Sequence, residues 1–276
     1  MGLILLLLSV SAALDADVHD FLFRQQLGPD GRHAEYQGDA NRLSVVPPGA
    51  NRTEVPRTMV QVGIGFFKIE SVSPTSGVLS LKVWYRLSWR DERLAWDPQA
   101  FAGTSDVYVC PEAQLQVCPY RQIWTPDLVP YNGNTGISNS LEPALAIVRF
   151  DGTVFWSRQG TLSLLCGFSG LVNFPHEELK CVTDVGGWAL DGTVQGIELL
   201  HGVGFEDLRT ERSARTTYSE WEFLPPHVGL VNRNYSFVAP NSTWPVVEYV
   251  LRVLVQWAAS LCVVSIARDG RDACTR

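Results

Sequence analysis

The chain has 276 residues, 46% of them hydrophobic, which is enough to bury one large core or two small ones. Its formal net charge of −7 leaves no basic stripe to neutralise phosphates, which argues against a nucleic-acid partner. Nine Trp, twelve Phe, eight Tyr and sixteen Pro, with many Thr and Val, mark an ordered, β-rich chain.

The first sixteen residues form an apolar run that ends in small residues near Ala13 and Ala16, as a cleavable signal peptide does, although the basic n-region is missing. Residues 17–26 have Val18, Phe21 and Leu22 on one side, which predicts a short amphipathic helix. A polar stretch rich in Gly, Asp and Pro follows to Arg57 and reads as loop.

From Val60 the period changes to two. Val60, Val62, Ile64 and Phe66 alternate with other residues, and a turn follows over Ser73–Gly77. Leu79, Leu81, Val83, Tyr85, Leu87 and Trp89 then occupy one face of a strand, leaving Trp84 on its polar face. A large aromatic there is either a lone surface residue or part of a contact surface. Further strands are predicted over 105–109, 144–150, 153–157, 162–166, 196–200, 219–224 and 246–251, with a hairpin turn at Asp151-Gly152. Short strands between closely spaced turns, with no long helical repeat, predict an all-β antiparallel sandwich or barrel. No second domain is evident.

Six cysteines fall into three sequence-adjacent pairs: Cys110 with Cys118, Cys166 with Cys181, and Cys262 with Cys274. Connectivity does not follow from sequence, and local pairing is the simplest arrangement. Closing a loop of about 15 residues is worth roughly 3 kcal/mol on the chain-entropy model. Between Cys166 and Cys181, Phe174-Pro175 suggests a turn. Sequons at Asn51, Asn234 and Asn241 are glycosylation candidates, and with paired cysteines they favour an extracellular compartment. No C-x-x-C spacing occurs and the five histidines are scattered, so neither a metal site nor a cofactor is expected. Phosphate loops and the H-E-x-x-H and G-x-S-x-G elements are missing too, which leaves no catalytic set.

The segment from Cys166 through Phe174-Pro175 and Cys181 to Trp188 resembles the signature loop of the Cys-loop receptors, the pentameric ligand-gated ion channels of nicotinic type. Four more segments agree with the extracellular domain of that family in order. Trp84, Trp89, Asp91, Leu94 and Trp96 resemble loop D and its turn. Trp124, Pro126, Asp127, Tyr131 and Asn132 resemble loop A. Residues 146–156 resemble the loop E hairpin, and Trp221 with Tyr235, Trp244 and Tyr249 the strands and tip of loop C. The match covers about residues 58–251.

The resemblance implies a β-sandwich of about ten strands with an N-terminal helix. It implies assembly into a ring of five related subunits, with a small ligand held between neighbours. Tyr131, Trp188, Tyr235 and Trp244 fall on the principal-side loops and Trp84 on the complementary side, with Phe237 competing with Tyr235. Clustered aromatic faces attract a desolvated ammonium by about 2 kcal/mol or more, so a cationic amine is the favoured ligand class. Trp89, Asp91, Trp96, Trp124, Pro126 and Asp127 are assigned to packing and turns.

The chain also departs from the pattern. Its signature loop holds one extra residue, Glu177 stands where the family has Asp, no vicinal cysteines lie near loop C, and the insertion around Cys110 and Cys118 is foreign. After Leu251 the likeness fades. Residues 253–267 form an apolar run shorter than the roughly 20 residues that cross a bilayer. Two readings follow: the ligand-binding part of a channel subunit, or a secreted binding protein like the acetylcholine-binding proteins, without a pore. A carbohydrate-binding sandwich fits the exposed aromatics but not the ordered motifs.

Overall fold

Period-two alternation gives each strand one apolar face, and two such faces are buried together when sheets stack. The computed structural model describes residues 16–23, 46–49, 53, 56–113, 121–168, 178–210, 221–235 and 242–255. They form a two-sheet sandwich with a helix over residues 16–23 (α1) at its N-terminal end. Val18, Leu22 and Phe23 of α1 are buried, and His19 Nε2 donates to the Tyr108 carbonyl (2.6 Å). The remainder of the predicted helix, residues 24–26, lies outside the described residues.

The larger sheet has seven strands: β1 (Thr58–Ser73), β2 (Val78–Arg90), β3 (Asp106–Val109), β5 (Ala146–Arg149), β6 (Thr153–Leu165), β8 (Gln195–Leu199) and β9 (Phe205–Asp207). Their order is β3-β5-β6-β2-β1-β8, with β9 also paired to β1. The smaller sheet has the order β10-β11-β7-β4, made of β4 (Leu128–Pro130), β7 (Glu178–Gly187), β10 (Trp221–Asn234) and β11 (Thr243–Val255). Pairing is antiparallel except where β8 and β9 run parallel to β1. One further helical turn, α2, spans Ile137–Ser140.

β2 follows its predicted alternation: Leu79, Leu81, Val83, Tyr85, Leu87 and Trp89 are buried in the core, with Tyr249 and Leu251 of β11 among the residues that complete it. The two strands predicted over 153–157 and 162–166 are one strand, β6, which pairs with β2 along its whole length. At Asp151-Gly152 the chain turns with Gly152 at φ +81, and the Asp151 carboxylate accepts from the Thr153 N–H (2.9 Å). A side chain at Gly152 would strike the Asp91 carbonyl, so glycine is required there twice over. β11 continues through Val255, three residues into the apolar run that starts at Val253.

Cys166, directly after β6, and Cys181, inside β7, form a disulfide. Those strands belong to different sheets, so the bond staples the two layers of the sandwich. The loop interior, with Phe174, Pro175 and Glu177, lies outside the described residues. Cys110 is disulfide-bonded, while Cys118, Cys262 and Cys274 lie outside the described residues. The foreign insertion is anchored a second way: Glu112 pairs with the buried Arg158 (2.9 Å), whose guanidinium lies 3.9 Å from the centre of the Trp156 ring.

Of the residues assigned to packing and turns, Trp89, Asp91, Trp96, Trp124 and Pro126 are buried and Asp127 is half-buried, and the Trp89 and Trp124 rings meet edge to face. Asp91 is buried, accepts from the Arg93 N–H as the cap of a short helical turn, and pairs with the Arg93 guanidinium. No helix among the described residues is long and apolar enough to cross a membrane.

Candidate functional site

The core-facing side of β7 carries Leu179, Cys181, Thr183 and Val185, all buried. Asp184 and Gly186 alternate with them and face outward, paired in register with Glu248 and Val246 of β11. Four aromatic rings gather on this outward face, each brought by a different segment. Tyr131 follows β4, Trp188 follows β7, Tyr235 follows β10, and Trp244 lies near the start of β11. The ring centroids of Tyr131 and Trp188 are 6.3 Å apart, those of Tyr131 and Tyr235 6.5 Å, and those of Tyr235 and Trp244 5.6 Å. All three pairs are edge to face. Trp188 is 71% exposed and Tyr235 40% exposed.

The frame beneath the rings is tightly bonded. The Tyr131 hydroxyl donates to the Gly187 carbonyl (2.8 Å), and its backbone N–H donates to the Asp184 carbonyl (2.9 Å). A Cβ at Gly186 would come within 2.6 Å of Val246 and 2.7 Å of the Tyr131 hydroxyl, so only glycine lets Tyr131 lie against β7. Asp127 accepts from the backbone N–H groups of Ala189 (2.5 Å) and Leu190 (3.3 Å), the two residues after Trp188. Asp127, assigned from sequence to packing or turns, thus fixes the backbone of the loop that follows Trp188. The same loop reaches β11 through the Gly192 N–H, which donates to the Thr243 carbonyl beside Trp244 (2.7 Å).

One row further along the same face, Arg233 of β10 bridges Asp184 (2.7 and 3.0 Å) and Glu248 (2.7 Å), tying all three strands. Its hydrogen bonds to Asp184 hold the guanidinium well above its usual value, so it stays charged. Burial, then the neighbouring Tyr235, Asp184 and Asp127, push the Tyr131 phenol up, which keeps it neutral and able to donate. Among the described residues, Asp184 and Glu248 share the Arg233 guanidinium and Asp127 lies under the Trp188 loop, so these contacts hold more carboxylates than cations. Such a surround favours a cation over an anion in front of the rings.

Trp84 is elsewhere. It lies on the outer face of β2 in the larger sheet and shares no ring contact with the other four among the described residues. Phe67 meets its ring edge to face (4.7 Å) and the Arg86 guanidinium lies 5.0 Å from its centroid, with Arg86 ion-paired to Glu206. Beside it opens a pocket of about 280 Å³ lined by Glu142, Pro143, Ala144, Ser157 and Gln159 as well as Trp84. One chain therefore assembles four of the five aromatic positions and holds the fifth on its other sheet. Asn234 is exposed at the end of β10, next to Tyr235, whereas Phe237, Asn51 and Asn241 lie outside the described residues. Among the described residues no group of His, Cys, Asp and Glu side chains is arranged to hold a metal.

Residues 43–249 match the family model of the neurotransmitter-gated ion-channel ligand binding domain. The chain is 27% identical over 165 residues to the neuronal acetylcholine receptor subunit non-alpha-3 of Carassius auratus, covering 60% of this chain and 32% of that protein. It is 26% identical over 176 residues to the acetylcholine receptor subunit alpha-like 2 of Drosophila melanogaster, covering 64% and 28%. With the neuronal acetylcholine receptor subunit beta-3 of Rattus norvegicus it shares 25% identity over 211 residues, covering 76% and 41%. The chain thus spans well under half the length of these relatives.

Proposed function

The chain belongs to the neurotransmitter-gated ion-channel ligand-binding domain family, and from that premise we propose that it is the extracellular sensor of a channel subunit, taking a small cationic amine between neighbouring copies in a ring of five. The family is one of ligand-gated receptors and not of enzymes. The observation that carries the amine reading is the open cluster of Tyr131, Trp188, Tyr235 and Trp244 in a net acidic surround. An ammonium that loses its water against such ring faces gains about 2 kcal/mol or more. The separation of Trp84 from this cluster supports an interface site, because a second copy would present its own Trp84 to the rings. Closure of the β10–β11 hairpin over the ligand is the first step of the response, and the loop closed by Cys166 and Cys181 carries it toward the membrane. Membrane attachment comes through a transmembrane region of the same polypeptide or of partner subunits. Asn234 carries a glycan on the exposed hairpin.

Titration with tetramethylammonium, followed by intrinsic tryptophan fluorescence, tests the ligand class. Saturable quenching that disappears in Trp188→Ala supports it, and quenching unchanged by that substitution overturns it. Sequencing the transcript's 3′ end separates the channel subunit from a secreted binding protein. Four membrane-length apolar segments in frame support the first, and a stop after Arg276 supports the second.

A further inference from the structure

The pocket beside Trp84 has one feature that the amine reading does not use. Its wall, residues 141–144, is fixed against β6: the Glu142 N–H donates to the Gln159 carbonyl (2.8 Å), the Trp156 indole N–H donates to the Ala144 carbonyl (2.9 Å), and Leu141 makes an isolated bridge with Gly160. On this fixed wall the Glu142 side chain is exposed, lines the pocket, and has no hydrogen-bond or ion-pair partner among the described residues. The other lining residues, Trp84, Pro143, Ala144, Ser157 and Gln159, include no cation. Trp84 itself has little to offer a second positive group, since Arg86 already lies against its ring and Glu206 neutralises Arg86. Negative charge on this side of the site therefore comes from Glu142, with the Ser157 hydroxyl and the Gln159 amide as neighbouring hydrogen-bonding groups.

We infer that Glu142 is a specificity-determining residue of the same site: its carboxylate takes a second ammonium of the ligand, so that the protein selects diamines over monoamines of equal length. The inference rests on the amine reading of the aromatic cluster. One ammonium sits against Tyr131, Trp188, Tyr235 and Trp244 of one copy, and the second reaches the Trp84 pocket of the next. A charge-assisted hydrogen bond formed in a pocket partly shielded from water separates the two ligand classes by about tenfold in affinity.

The test measures the affinity of the full chain for straight-chain diamines, from diaminobutane to diaminooctane, against the monoamines of the same lengths. In the unaltered protein the best diamine binds about tenfold tighter than its monoamine. In Glu142→Gln, which keeps the shape and removes the charge, that ratio falls to about one. A ratio near one in the unaltered protein, or a ratio unchanged by Glu142→Gln, overturns the inference and leaves the amine reading standing. Failure of every amine to bind takes down both. Trp188→Ala weakens diamine and monoamine alike, which marks the shared cluster as distinct from the selective carboxylate.

Discussion

Trp188 and Trp84 are both large aromatics on outward sheet faces, yet the chain treats them differently. Trp188 stands 71% exposed at the end of β7, in contact with Tyr131 and held, among the described residues, through the backbone that follows it. Trp84 is half-buried under contacts from its own sheet, with Phe67 at its edge, Arg86 on its ring and Gln159 paired across from it. An aromatic on a polar face is informative according to what the fold has already placed against it. The Trp188 side is built as an open surface over a rigid frame. The Trp84 side is a wall whose free chemistry lies in its neighbours.

The largest test of this contrast removes the staple between the two sheets. Cys166→Ser should lower stability by about 3 kcal/mol, read as a shifted midpoint in urea unfolding, and should weaken ligand binding on both faces. An unchanged midpoint would mean that the sheets hold their relation without the bond. The two tryptophans should then separate. Trp188→Ala should reduce amine affinity by about 2 kcal/mol with little change in melting temperature. Trp84→Ala should instead destabilise the fold by about 1–2 kcal/mol through lost ring contacts, with the smaller effect on binding. The reverse pattern would mean that Trp188 supports the fold and Trp84 the ligand. Tyr131→Phe removes only the bond to the Gly187 carbonyl and should cost about 1 kcal/mol, seen as faster amide exchange around residues 186–188.

The smallest effect concerns Asp207, at the end of β9 where that strand pairs with β1. The side-chain hydrogen bond from Arg209 holds the Asp207 carboxyl below its usual value, with the Arg209 backbone N–H adding to the effect. A depressed carboxylate contributes stability that is fully present above its unfolded value near 4 and is lost as pH falls through the lower folded value. Asp207→Asn should therefore lower stability slightly above about pH 4, where the charged carboxylate contributes, and leave the acid end unchanged, so that the acid limb of the stability curve flattens. A steeper acid limb in the variant would contradict the assignment.

Much of the sandwich was legible in the sequence, because burial on one face leaves a period that survives every loop. β2 is the plainest case, with six apolar side chains in strict alternation. β7 escaped notice because the polar Thr183 and the small Cys181 stand on its core face and the apolar Val182 on its outward face, which blurs the alternation. The second half of β10 escaped because Pro225 and Pro226 mark a break, which the structure accommodates as a shift in register between Leu224 and His227. The ring positions were legible through motif order, but their surroundings were not. The Arg233 bridge joins the β10–β11 hairpin to β7 across 49 residues, and the hold of Asp127 on the Trp188 loop spans 62 residues. Neither leaves a periodic trace. Glu142 was equally silent, since only the fold shows that it lacks a partner inside a pocket.

The staple between the sheets also defines a mechanical route. Leu251 of β11 lies directly opposite Cys181, the disulfide crosses to Cys166, and the Cys166 N–H donates to the carbonyl of Gly77 in the turn between β1 and β2 (2.7 Å). Tension applied at the far end of β11 is shared along its hydrogen-bonded ladder with β7 before it reaches a link that does not yield. It is then delivered to the opposite layer at one tight turn. A pull on one layer would then reach the other as through a stiff lever, with the covalent bond as its pin.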